Sequence, residues 1–174
     1  MTHARCRIEK RVVSLPDFYD PEVHMATLQQ ALVQAVEGKT VNWVGSLDTA
    51  REHVYVPDAM KAVAQLAFHE AVYGEHWSVP GAGPISLRRA LAISEQRLGH
   101  RIPARASNAW TLRLLSLWVA WLRAFMPMVP TYLDPVSFDG TKLYGLVGEP
   151  PLTPYECGIP KTMDWLAGPS PVAR

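Results

Sequence analysis

The stretch Thr153-Pro154-Tyr155-Glu156-Cys157-Gly158-Ile159-Pro160-Lys161-Thr162-Met163-Asp164-Trp165 lies near the end of a 174-residue chain. A threonine three residues ahead of a glutamate is a capping box, here with proline at the first helical position. The hydroxyl and the carboxylate can each satisfy an orphan amide of a first turn. The spacing predicts a helix from Pro154 to about Leu166, and Ala167 to Arg174, rich in Pro, Gly and Ser, reads as a frayed tail. Upstream, Asp139-Gly140-Thr141-Lys142-Leu143 follows a run in which Pro127, Pro130 and Pro135 forbid a long regular element.

Toward the N-terminus the pattern alternates strands with helices. Arg11 to Leu15, with β-branched Val12 and Val13, reads as a strand that stops at Pro16 and runs into a loop, Pro16 to Glu22. Met25, Leu28, Leu32, Ala35 and Val36 then recur at helical spacing until Gly38. Thr40 to Val44 and Glu52 to Val56 read as strands on either side of a turn at Gly45 to Asp48. Pro57-Asp58 opens a helix whose buried face is marked by Met60, Val63, Ala67 and Ala71 and which Gly74 ends. His76 to Val79 is a further strand, and Pro80-Gly81-Ala82-Gly83-Pro84 is a tight turn. Ser86 can cap a helix that faces Leu87, Leu91 and Leu98 inward and closes at Gly99. Beyond the Pro103 loop, Trp110, Leu114, Leu117, Trp118, Trp121 and Phe125 form a wide apolar stripe, expected to be core or interface.

Composition excludes several classes. With 17 basic and 16 acidic residues the net charge is +1, so no charge field argues for nucleic acid, and none is expected as a partner. The apolar run Leu114 to Leu122, between Arg113 and Arg123, is far short of the roughly 20 residues of a spanning helix, so no membrane span is expected. A weaker alternative is a membrane-surface role for Trp110 to Phe125. Met1 to Lys10 is polar and basic without a following apolar run. The expectation is a cytoplasmic protein in which Cys6 and Cys157, the only cysteines, are free thiols.

Motifs for self-contained chemistry are missing. The six histidines are scattered without HxxxH or HxxEH spacing, and there is no CxxC, so no metal site is expected. There is no GxSxG, no GxGxxG and no Walker lysine. Asp17 with Asp20, or Glu52 with Asp58, could do acid/base work only if burial shifts their pKa values. Asp58 is read first as a helix-start residue. No catalytic residue is assigned.

Four blocks in order resemble the extended short-chain dehydrogenases, the NAD-dependent epimerase/dehydratase family. Val12-Val13-Ser14-Leu15-Pro16-Asp17-Phe18-Tyr19-Asp20-Pro21 is similar to the family's "R-x-x-N/D-x-Y-G-P" strand and loop. Arg51-Glu52-His53-Val54-Tyr55-Val56-Pro57-Asp58-Ala59 is similar to "R-D-x-x-x-V-x-D-x-A". His76 to Ser86 resembles "x-N-x-G-x-G-x-x-S/T", and the closing stretch resembles the C-terminal signature, with Gly145-Leu146 where a "LG" pair often ends the preceding helix. Ser14 stands in place of the usual arginine and Asp20 in place of the usual glycine.

The resemblance implies an α/β fold: the C-terminal part of a doubly wound Rossmann-type sheet (residues 11–166, after an extension at 1–10 and before a flexible tail at 167–174) with a small, mainly helical substrate-binding lobe. It implies NAD or NADP as cofactor and a small-molecule substrate for transient oxidation, reduction, epimerisation or dehydration. Leu15, Pro16 and Phe18 would be remnants of the nicotinamide-side loop, and Asp17, Tyr19, Arg51 and Tyr55 the substrate-side candidates. Arg51 matches a position that holds substrate phosphate in nucleotide-sugar members. The second arginine expected before the "D-x-S/T-K" phrase is replaced by Val136-Ser137-Phe138, which disfavours a sugar nucleotide.

The family's glycine-rich turn and Tyr-x-x-x-Lys pair are absent; Tyr55 and Lys61, like Tyr155 and Lys161, are six apart. The expectation is a truncated, oxidoreductase-like homologue, inactive alone, with apolar surface and a strand edge exposed. The alternative is an interaction module that docks on a separate chain carrying the cofactor-binding half.

Overall fold

Strand β1 (Val12–Ser14) runs into β2 (Asp17–Tyr19) through the Leu15–Pro16 link, so one stretch of chain enters two sheets. The structure is a computed structural model that describes residues 12–24, 26–69, 72–107, 110, 113, 116–134 and 136–168. The expected extension at 1–10, Arg11, Met25, Ala71, Leu114, Cys6 and the tail beyond Gly168 lie outside them. In order follow α1 (Thr27–Val36), β3 (Val41–Val44), β4 (Ala50–Tyr55), α2 (Val56–Ala67), β5 (His76–Ser78), β6 (Pro84–Ser86), α3 (Leu87–Leu98) and β7 (Ala104–Ser107). Short α4 (Ala120–Phe125), a 3-10 turn (Met126–Met128) and α5 (Val129–Leu133) precede α6 (Thr141–Val147) and α7 (Tyr155–Ala167).

Pairing is parallel for β1 with β5, β2 with β4 and β3 with β7, and antiparallel for β4 with β6. This is the α/β class expected, with β4 central between β2 and β6. Two cores form. The larger packs α1, α3 and α7 over Tyr19, Val41, Trp43 and Ile85. The smaller sets Ala62 and Leu66 of α2 and Leu143 of α6 against Trp77 and Val79. Arg89–Glu156 and Arg97–Asp164 ion pairs tie α3 to α7.

Several expectations hold. Ser86 caps α3 by accepting from the Arg89 amide at 3.2 Å, and Gly99 closes that helix in the left-handed region at φ 75°. β3 alternates as read, with Val41 and Trp43 buried and Asn42 exposed.

Others are corrected. The Pro16–Glu22 loop contains β2, because residues 17–19 lie in register beside His53, Val54 and Tyr55. On α2 the buried residues are Asp58, Ala59, Ala62 and Leu66, whereas Met60 is exposed. The face is rotated because Asp58 turns inward and accepts from the Thr153 amide at 2.6 Å. That helix ends at Ala67, well short of Gly74. The same bond takes Thr153 out of the capping box: Pro154 occupies the cap position of α7 without a side-chain cap bond, and Glu156 pairs with Arg89. β6 and β7 form in segments that carry only loop signals in the sequence.

The tryptophan stripe is not a continuous helix. Trp110, Leu117 and Trp118 are exposed; Trp110 and Arg113 are helical, residues 116–118 form a turn, and the next helix starts at Ala120. Arg123 donates to the carbonyls of Ser116 (3.3 Å) and Leu117 (3.0 Å), which a continuous helix would offer to the amides four residues on. No helix among the described residues is long and apolar enough to cross a membrane.

Candidate functional site

On β4, Arg51, His53 and Tyr55 alternate with Glu52 and Val54, so they share one face of the strand. The register with β2 sets Asp17 beside His53 and Tyr19 beside Tyr55. That face carries a cleft at one end and a tyrosine cluster at the other. The cleft, about 250 Å³, is walled by Leu15, Pro16, Asp17, Thr27, Arg51, Glu52, His53, Tyr132, Val136 and Phe138.

Arg51 is 6% exposed. Its Nη2 donates to the carbonyls of Val44 (2.6 Å) and Tyr132, while the guanidinium lies 4.7 Å from the Trp43 ring and 5.2 Å from that of Tyr132. Nε and Nη1 are buried without a partner. Burial lowers the Arg51 pKa, opposed by the charges of Tyr132 and Asp17, yet an arginine stays cationic in a protein. A buried cation with two unspent nitrogens keeps hydrogen-bonding capacity that an anion can satisfy.

Asp17 is fixed by its neighbours. Its carboxylate accepts from the Thr27 amide (2.8 Å) and hydroxyl and from the Phe18 amide (3.1 Å). Its Oδ2 lies 3.9 Å from His53 Nδ1, which is buried and unpartnered. Burial pushes the His53 imidazole down to about 4, with Asp17 opposing and Arg51 adding to the shift. Burial and the Asp17 charge push the Tyr132 phenol up.

The carboxylates expected as possible pairs are separated. Glu52 spends Oε1 on the Gly81 amide (2.7 Å) and Oε2 on the Phe138 amide (3.0 Å), while Asp58 is spent on Thr153. Gly81 must be glycine, since a Cβ there would stand 2.0 Å from the His53 carbonyl oxygen. Asp20 interacts with the Tyr55 hydroxyl, and burial raises both pKa values. Among the described residues no group of three or more histidine, cysteine, aspartate or glutamate side chains could hold a metal ion, and Cys157 is an exposed thiol outside any disulfide.

Of the residues singled out from sequence, Leu15, Pro16, Asp17 and Arg51 meet in the cleft. Phe18 lies on the opposite face of β2, half-buried and outside the cleft wall. Tyr19 is fully buried, its ring 5.4 Å from that of Tyr55 and 5.7 Å from that of Tyr155, so both Tyr19 and Tyr55 belong to the tyrosine cluster. Burial drives the Tyr19 phenol upward and pushes Tyr155 up to about 12. His53, Thr27 and Tyr132 escaped the sequence reading. The i, i+2 spacing of Arg51 and His53 on a strand could have flagged His53; nothing local marks the other two.

No protein-family model matches this sequence, and no curated protein matches it. Solved structures do share the fold. UDP-glucuronic acid 4-epimerase from Bacillus cereus, in complex with UDP-glucuronic acid and NAD, aligns with TM-score 0.72 at 15% identity, covering 90% of this chain and 44% of that one. dTDP-glucose 4,6-dehydratase from Bacillus anthracis, in complex with NAD, aligns at 0.67 with 15% identity, covering 88% and 43%. RMD from Pseudomonas aeruginosa, complexed with NADPH, aligns at 0.65 with 12% identity, covering 90% and 47%. The chain thus has the Rossmann-type α/β fold of part of an NAD-dependent epimerase or dehydratase. It spans less than half the length of these structures.

Proposed function

We propose that this chain is the substrate-binding half of an NAD(P)-dependent epimerase or dehydratase, and that its cleft holds a small anionic molecule through Arg51. The observation that carries the reading is a buried guanidinium on the cleft wall with Nε and Nη1 unspent. Asp17 is the second substrate contact; Tyr19 and Tyr55 support the cleft from the other end of the same face.

Leu15 and Pro16 fit one part of a cofactor, offering apolar surface at the cleft wall to the flat face of a nicotinamide ring; Phe18 stands behind β2. Bound there, the dinucleotide would supply hydride transfer. Its pyrophosphate needs a glycine-rich turn at a helix N-terminus, and proton transfer needs a Tyr-x-x-x-Lys pair; this sequence contains neither. Both must come from other polypeptide, and the 174 residues alone have no turnover. Calorimetry of the chain with NAD and with NADP is expected to give no micromolar binding; micromolar binding of either would overturn this division of labour.

A second reading, favoured by one observation, makes the chain an interaction module. Among the described residues β1 pairs only with β5, and Val12 on it is exposed, so the outer edge can accept a strand from the cofactor-binding half. Co-expression with a chain carrying the glycine-rich turn and the Tyr-x-x-x-Lys pair is expected to restore NAD binding. A co-purified complex that binds no cofactor would sink it.

A further inference from the structure

The geometry points to a second recognition element in the same cleft: His53 and Asp17 form a hydroxyl-binding couple, so the ligand is a compact hydroxylated anion, a small sugar phosphate or hydroxycarboxylate, rather than a sugar nucleotide. This rests on the reading of Arg51 as the anion site.

His53 is 2% exposed, and its Nδ1 has no partner. The nearest acceptor is Asp17 Oδ2 at 3.9 Å, beyond hydrogen-bond reach. Leaving such a group unpaired in a protein interior is costly, and a ligand group can relieve that cost. The main chain that carries the imidazole is held in place. The Tyr155 hydroxyl accepts from the His53 amide (3.1 Å) and lies within donating distance of the His53 (2.9 Å) and Gly83 (2.7 Å) carbonyls, fixing this point of β4. Asp17 is held as firmly by Thr27 and Phe18. The backbone under His53 and the carboxylate of Asp17 are therefore set before a ligand arrives, and binding has only to open the approach to the buried Nδ1.

The group that completes such a couple must both donate and accept. An oxygen about 2.8 Å from each atom fits the apex of a triangle on the 3.9 Å base. A hydroxyl does this, donating to Asp17 Oδ2 and accepting from Nδ1–H of the neutral imidazole. A methylene does neither. A second anionic group is disfavoured because Asp17 and Glu52 also line the cleft, and Arg51 is the only arginine or lysine among its lining residues. In the part of the site that this chain walls, the volume is about 250 Å³, room for a few carbons.

Calorimetry on the full chain with matched pairs tests this: glycerol 3-phosphate against n-propyl phosphate, and D-glycerate against propionate, with inorganic phosphate and UDP-glucose alongside. In one pair the hydroxylated member is expected to bind at least tenfold tighter than its deoxy counterpart, and which pair does so tells phosphate from carboxylate. His53→Phe, which keeps a ring in place, is expected to erase that preference, and Arg51→Met to abolish binding of both members. As a readout independent of any variant, the His53 Nδ1 resonance of the 15N-imidazole-labelled protein should move with glycerol 3-phosphate or D-glycerate and stay put with the deoxy analogue. Equal binding within both pairs, a preference that survives in His53→Phe with near-UV dichroism intact, or affinities no better than inorganic phosphate (an adventitious ion only) would overturn the couple. UDP-glucose binding tighter than the small anions would overturn the compact ligand. If no anion binds at all, the Arg51 reading itself falls.

Discussion

The core under α1, α3 and α7 buries Tyr19, Leu28, Leu32, Ile159 and Met163 to 1% exposure or less, whereas the smaller core ends in open ground. There Val12 at the start of β1 is 54% exposed and Phe68, just past α2, is 89% exposed. The larger core is closed by elements that all lie within the described chain: helices on helices, ion pairs between α3 and α7, and β4 held between β2 and β6. The smaller rests on a two-stranded parallel sheet, a form that rarely stands without further strands. The difference separates a surface that this chain closes for itself from one that it leaves open. The cleft sits where they meet, since Leu15 packs on the smaller core and Asp17 two residues later opens the strand that enters the larger.

The largest effect should come from the closed core. Leu32 is fully buried, and Leu32→Ala removes its transfer energy and leaves a cavity, an expected loss of about 3–4 kcal/mol in urea denaturation. Native-state hydrogen exchange in the parent chain sharpens the contrast. Amides of α1 and α7 should exchange only on global unfolding, and those of β1 and β5 by cheaper local opening. Equal protection in both regions would dissolve the distinction between the cores.

Next is an acid effect centred on His53. The unfolded chain takes up this proton near pH 6.5 and the folded one only near pH 4, because burial outweighs the favourable charge of Asp17 and Arg51 opposes protonation. Between those values the unfolded state binds more protons, so stability falls as pH falls, by at most about 3 kcal/mol at the low end. His53→Phe should flatten that part of the stability–pH curve. A variant curve as steep as the parent's between pH 6.5 and 4 would assign the acid loss to other groups.

A smaller loss is expected for Tyr155→Phe. The hydroxyl serves the His53 amide and reaches the carbonyls of His53 and Gly83, so its removal strands buried backbone groups at a cost of about 2 kcal/mol. Chemical denaturation at pH 7 checks it. A change below about 0.5 kcal/mol would mean that those groups find other partners.

Sequence made the local elements legible and left the long-range bonds hidden. The period of Leu28, Leu32 and Ala35 gave α1, and Ser86 with Gly99 gave both ends of α3, because those signals lie within a few residues. β2, β6 and β7 were lost because strands of three or four residues carry almost no period, and pairing across the fold defines them. The capping box failed for the same reason: Asp58, 95 residues away, captured the Thr153 amide. In the cleft, Arg51 and Asp17 were visible through a motif. Thr27 and Tyr132 reach it only through tertiary packing, and His53 needed the strand face to be read two residues at a time.

The smallest effect on stability, and the sharpest on assembly, is expected at the open edge. Val12→Lys and Phe68→Ser replace exposed apolar side chains, so urea midpoints of the chain alone should shift by no more than about 0.5 kcal/mol equivalent. A lysine on a strand edge nevertheless blocks the approach of another strand, because pairing would desolvate its charge. If β1 receives the cofactor-binding half, Val12→Lys should abolish co-sedimentation with a chain carrying the glycine-rich turn while leaving anion binding at Arg51 intact. Loss of stability without loss of association would instead make Val12 and Phe68 part of a core that closes within this chain, and the contrast between the two cores would vanish.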